Sequence, residues 1–180
     1  MGFRLHSFRH PLTWCACAAL AGCAGGRMTR TGEAVADLQP TRGSFVTGTI
    51  TFKQAGDRVV VTADVRGLSA NGEAGFHVHE HGDCSAIDGS SAGPHFNPFN
   101  KPHGHEGSAR HAGDMPNLKA DATGRALYRV ELDVMTLDEG PAGIVGRSVI
   151  VHRDPDDYMT QPAGNSGPRV ACGIIRRAER

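Results

Sequence analysis

No segment of this sequence repeats apolar residues with a helical period, which argues against a helical bundle. Aromatic residues are scarce, at 6% of the chain. Net charge is absent too: 19 basic side chains balance 19 acidic ones. Bulk charge therefore gives no affinity for nucleic acid or for an anionic membrane surface. Long apolar runs are missing as well, since the longest, from Leu12 to Ala21, is too short to span a bilayer as a mature helix. What the chain does have is turn formers, 24 Gly and 10 Pro in 180 residues, which points to an all-β protein. That length suits one domain with a real core and is too short to expect two.

The first 22 residues read as a signal peptide. Arg4 and Arg9 give it a positive start, the apolar run follows, and Leu20-Ala21-Gly22-Cys23 ends it. That ending resembles the bacterial lipoprotein box, which implies lipidation of Cys23 as the first mature residue; the alternative is ordinary cleavage after small residues without a lipid. Several acyl chains would hold the domain firmly to a membrane of the cell envelope, with the protein in the periplasm. Residues 23–40, with Gly25-Gly26, several Thr and few large apolar side chains, read as a flexible tether, and residues 41–180 as the domain. Of five cysteines, Cys15 and Cys17 leave with the signal and Cys23 is the lipid candidate. Cys84 and Cys172 remain; export permits a disulfide, and two buried free thiols are the alternative.

Alternation begins near Val46. Val46, Ile50 and Phe52 share a face opposite Thr47, Thr49 and Thr51, and Val59, Val61, Ala63 and Val65 oppose Arg58, Thr62, Asp64 and Arg66. Gln54-Ala55-Gly56-Asp57 links them as a hairpin turn. Further strands are expected around His77, over Tyr128 to Val134, over Arg147 to His152 and over Val170 to Ile175. Between them lie two long loops, from Gly82 to Pro116 and from Arg153 to Arg169, and a loop of the first length needs something functional to order it. Short strands with Gly turns and two long loops argue for an antiparallel sandwich or barrel.

Eight histidines lie outside the signal: His77, His79, His81, His95, His103, His105, His111 and His152. Six of them fall between 77 and 105, more than chance supplies. His77 and His79 are two apart on a strand, so they face the same side while Val78 points to the core. Imidazole is a common ligand for copper and zinc, and a carboxylate such as Asp114 can complete a zinc tetrahedron. So many ligands point to two metals.

Five stretches in order, Gly75-Phe76-His77-Val78-His79, Gly93-Pro94-His95-Phe96-Asn97-Pro98, His111-Ala112-Gly113-Asp114, Val151-His152 and Gly167-Pro168-Arg169-Val170-Ala171-Cys172-Gly173, resemble the signatures of the copper/zinc superoxide dismutases. The resemblance covers residues 43 to 176. It implies an eight-stranded antiparallel Greek-key β-barrel or sandwich, immunoglobulin-like, with two long functional loops. It further implies one copper ion on His77, His79, His95 and His152, and one zinc ion on His95, His103, His111 and Asp114, with His95 bridging the two. Arg169 would guide the superoxide anion, and Cys84 with Cys172 would form the disulfide. Asp156 matches the carboxylate linking a copper histidine to a zinc histidine, with Asp157 the alternative by one residue. His103 is preferred to His105 because it lies eight residues from both His95 and His111. His81 and His105 are then expected as solvated side chains.

The implied activity is dismutation of superoxide to oxygen and hydrogen peroxide by a redox-cycling copper bridged to a structural zinc. A non-catalytic periplasmic copper-binding or copper-delivery protein is the main rival, and a zinc-only module the second. Oligomeric state stays open, a homodimer being one arrangement.

Overall fold

The computed structural model describes residues 1–2 and 32–179. Residues 3–22 of the expected signal peptide and Cys23 lie outside the described residues.

Ten antiparallel strands and one short 3-10 turn, Ser90–Ala92, make up the regular structure of the described residues. The strands are β1 (Glu33–Pro40), β2 (Thr47–Ala55), β3 (Arg58–Arg66), β4 (Glu73–Ala74), β5 (Phe76–His79), β6 (Leu118–Lys119), β7 (Ala126–Leu132), β8 (Ser148–His152), β9 (Arg169–Ile174) and β10 (Arg176–Arg177). Eight belong to one curled sheet in the order β5-β8-β9-β1-β2-β3-β7, with β10 also on β1, while β4 and β6 pair by themselves. Neighbours that are distant in sequence, such as β3 with β7 and β5 with β8, are the Greek-key crossovers expected of an immunoglobulin-like barrel.

The alternation seen in the sequence is the burial pattern. Ile50 and Phe52 of β2 and Val59, Val61, Ala63 and Val65 of β3 face one core, while Thr49, Thr62 and Asp64 face outward. Phe76 and Val78 join that core from β5, and Val149 and Val151 from β8. Burying one such side chain stabilises by about 1.5–3 kcal/mol, so the alternating pattern fixes which way each strand faces.

One expectation is corrected. Residues 33–40, read as the end of a tether, form β1, which pairs with β2 through residues 33–38 and with β9 through residues 39 and 40. Its buried face consists of Ala34, Ala36 and Leu38. A search for large apolar residues passes over two alanines, yet small side chains suit a strand crowded by neighbours on both sides.

The loop from Gly82 to Pro116 closes back on β5. His79 bridges to His95 and His77 to Asp114. Val78 N–H donates to Gly113 C=O at 2.9 Å, and Val78 C=O accepts from Phe96 N–H at 2.9 Å. Gly113 must be glycine for this approach, because a Cβ there would collide with the Val78 carbonyl. The free edge of β5 is thus covered by its own loop. Cys84 and Cys172 form the disulfide, with Cα atoms 5.8 Å apart, and tie that loop to β9 across 88 residues of sequence. A loop of that size is worth about 4–5 kcal/mol in the chain-entropy description.

Candidate metal centre

Strand geometry brings the histidines together. His77 and His79 share a face of β5, His152 ends the adjacent β8, and His95 and Asp114 are drawn in by their bridges to β5. The result is two buried clusters, His77, His79, His95 and His152, then His95, His103, His111 and Asp114. Within each, one nitrogen or oxygen per residue lies within 4.8 Å of all the others. His95 belongs to both.

The all-imidazole cluster is oriented from outside. His79 Nδ1 donates to Gly93 C=O at 2.8 Å, and His152 Nδ1 donates to Gly167 C=O at 3.1 Å. A carbonyl can only accept, so both rings carry their proton on Nδ1 and turn an unprotonated Nε2 inward. Those two Nε2 atoms face each other at 3.4 Å. His77 Nδ1 and His95 Nε2 are buried without a partner. Burial, then neighbouring imidazoles, lowers His95 to about 4 and His152 to about 3, and pushes His79 well below its usual value. Four lone pairs aimed at one point, each reluctant to take a proton, form a nitrogen donor set that fits a copper ion.

The second cluster is built around a carboxylate. Asp114 Oδ1 lies 2.9 Å from His95 Nδ1 and 3.2 Å from His111 Nδ1. Its Oδ2 lies 3.0 Å from His103 Nδ1 but out of line for a hydrogen bond, so the two groups converge rather than pair. The same oxygen accepts the main-chain N–H groups of Gly104 and His111, both at 3.1 Å. Burial alone would raise Asp114, yet the three imidazoles hold it far below the ordinary carboxylate range. Three imidazoles and one carboxylate are a zinc donor set.

Asp156 joins the clusters. Its Oδ2 lies 2.7 Å from His77 Nε2 and its Oδ1 2.9 Å from His103 Nε2. Burial acts against a charged His103, but the Asp114 and Asp156 carboxylates on either side of the ring raise it to about 9. Asp157 instead caps Met159 and Thr160. Sequence reasoning missed Asn117, whose side-chain amide brackets the Asp156 peptide: Oδ1 accepts Asp156 N–H at 2.9 Å and Nδ2 donates to Asp156 C=O at 3.0 Å. A single Asn after Pro116, 39 residues away, gives no pattern to find.

A cleft of about 440 Å³ opens onto the imidazole cluster, lined by His79, His95, His152, Asn97, Pro162 and Arg169. Arg169 donates to Gly89 C=O at 2.6 Å and Gly93 C=O at 2.5 Å, which holds its guanidinium at the cleft wall. His81 and His105 are exposed and join neither cluster.

An antiparallel β-barrel carrying two buried ligand clusters that share one imidazole is the scaffold of a dinuclear metalloprotein. The family model described as copper/zinc superoxide dismutase matches residues 46–175, and the chain belongs to that family. It is 39% identical over 151 residues to superoxide dismutase [Cu-Zn] 2 of Aquifex aeolicus, covering 80% of this chain and 86% of the relative. It is 43% identical over 153 residues to superoxide dismutase [Cu-Zn] of Saccharomyces cerevisiae, covering 79% and 96%. Among solved structures, the clock protein EA4 superposes with a TM-score of 0.74 at 40% identity, covering 82% of this chain and 96% of that one.

Proposed function

We propose that this protein dismutates superoxide to oxygen and hydrogen peroxide in the cell envelope, with copper held by His77, His79, His95 and His152 and zinc by His95, His103, His111 and Asp114. The observation that carries the reading is the shared histidine: His95 turns Nδ1 to the carboxylate cluster and a partnerless Nε2 to the imidazole cluster. Copper, when bound, supplies one-electron redox chemistry, and zinc adds a redox-inert positive charge. Everything else falls to the chain. His95 Nε2, when it is not holding copper, would be free to carry a proton at the floor of the cleft and pass it to the departing product. Asp156 fixes His77 and His103 in register, so a shift on one side is felt on the other. Arg169 sets a fixed cation at the cleft wall, where low-dielectric walls concentrate its field on an incoming anion.

A catalytic role is favoured over copper storage or delivery by that cleft, since a carrier has no use for an anion-guiding arginine beside its metal. Lipidation at Cys23 and a periplasmic location rest on the Leu20-Ala21-Gly22-Cys23 ending and the positive start before it. Stopped-flow decay of superoxide with the Arg169→Glu variant tests the reading. We expect kcat/KM to fall by about 100-fold with copper content unchanged, and the remaining rate to lose its ordinary salt dependence. Unaltered turnover would remove Arg169 from the mechanism. Absence of dismutation by wild-type protein holding both ions would favour the carrier.

A further inference from the structure

His103 stands between two carboxylates and has no strand to hold it. Among the described residues no main-chain group pairs with its N–H or its C=O. Both are taken instead by one side chain from the other long loop, 58 residues away. His103 N–H donates to Gln161 Oε1 at 2.8 Å, and Gln161 Nε2 donates to His103 C=O at 2.9 Å. The same Nε2 donates to Met159 C=O at 3.3 Å, which uses its second proton and fixes which end of the amide is which. Reversing the amide would set N–H against N–H and oxygen against oxygen. The next residues along, Pro162 and Ala163, line the cleft above the imidazole cluster.

We propose that Gln161 is a positioning residue: by bracketing the His103 peptide it sets the angle of that imidazole between Asp114 and Asp156, and it makes the order of the 153–168 loop depend on an intact carboxylate cluster. A buried imidazole with a carboxylate oxygen 2.9–3.0 Å from each ring nitrogen cannot swing without leaving one of them. Its main chain is therefore the remaining freedom, and Gln161 removes it. Asn117 grips the Asp156 peptide by the same two-bond geometry, so both partners of the His103–Asp156 contact are held from behind by a side-chain amide. Gln161 is exposed and lies in a loop, so its removal leaves the barrel core untouched.

The inference rests on the zinc assignment above, and its test separates the two. Wild type, Gln161→Leu and Gln161→Glu are loaded with copper and zinc, and release of each metal to a competing chelator is timed. Hydrogen exchange of the His103 amide is followed in the metal-free proteins. Leucine removes the acceptor and the donors, whereas glutamate keeps an acceptor for His103 N–H. We expect zinc release from Gln161→Leu to be about tenfold faster, with a similar loss of His103 amide protection and an intermediate effect for Gln161→Glu. Copper release should change less than zinc release. Unchanged zinc release and unchanged exchange in the folded variants would overturn the proposal, and so would equal acceleration for both metals. Should the leucine variant fail to fold, the glutamate variant decides by the same criteria. A wild type that holds no zinc refutes the metal assignment instead, and exchange at His103 then decides the clamp alone.

Discussion

The two halves of the site are held together by opposite means. The imidazole cluster contains no carboxylate; its rings are steered by the Gly93 and Gly167 carbonyls and by Asp156 behind His77, and the inner nitrogens of His79 and His152 face one another at 3.4 Å. The other cluster gathers His95, His103 and His111 around the negative charge of Asp114. One half is a set of lone pairs organised for an ion to complete, the other a self-attracting knot. Their histidines reflect it: burial pushes His95 to about 4 and His152 to about 3, while flanking carboxylates lift His103 to about 9.

The contrast can be broken at the joint. Asp156→Asn keeps the shape but offers one oxygen and one N–H where two oxygens now accept, so His77 and His103 cannot both be served. We expect a 10- to 100-fold loss of zinc affinity with a smaller loss at the imidazole cluster, measured by chelator competition on each metal. Gly164→Ala attacks the same contact from outside. Gly164 has φ of +63°, and a Cβ there would collide with Asp156 Oδ1 and come within 2.6 Å of His103 Nε2. Its zinc affinity should fall about tenfold, consistent with roughly 1–3 kcal/mol for a strained backbone position, while the thermal midpoint of the metal-free protein drops only modestly.

The third test sharpens the contrast with pH. His95 and His152 have folded values below that of the unfolded chain, so as pH falls from 6.5 toward 4 and 3 the unfolded state takes up protons that the native state refuses. Their effect is a loss of stability on acidification. His103 runs the other way: its contribution is complete below 6.5 and is lost as pH rises through about 9. Calorimetry of the metal-free protein should show the thermal midpoint declining on both sides of neutrality. In an Asp156→Asn background the alkaline decline should shrink and the acid one persist.

Much of this architecture is legible in the residues alone, because strand alternation and clustered histidines are local patterns. Val59 to Val65 show their face, and the two-residue spacing of His77 and His79 places both rings together. Strand β1 escaped because its buried face is mostly alanine. Asn117 and Gln161 escaped for a different reason: their partners lie 39 and 58 residues away, and an amide side chain in a loop has no periodicity. Asp156 is the carboxylate the resemblance implies, with Asp157 one residue off, and the path of the loop turns Asp156 inward.

The closure of the Gly82 to Pro116 loop over β5 has a consequence outside chemistry. β5 is a terminal strand of the eight-stranded sheet, and an uncovered strand edge is a template for another chain. Here the cover is the segment that carries His95, Gly113 and Asp114. Solubility and ligand geometry therefore share one set of hydrogen bonds, and a chain whose loop has come undone exposes a sticky margin at the moment it loses its active centre.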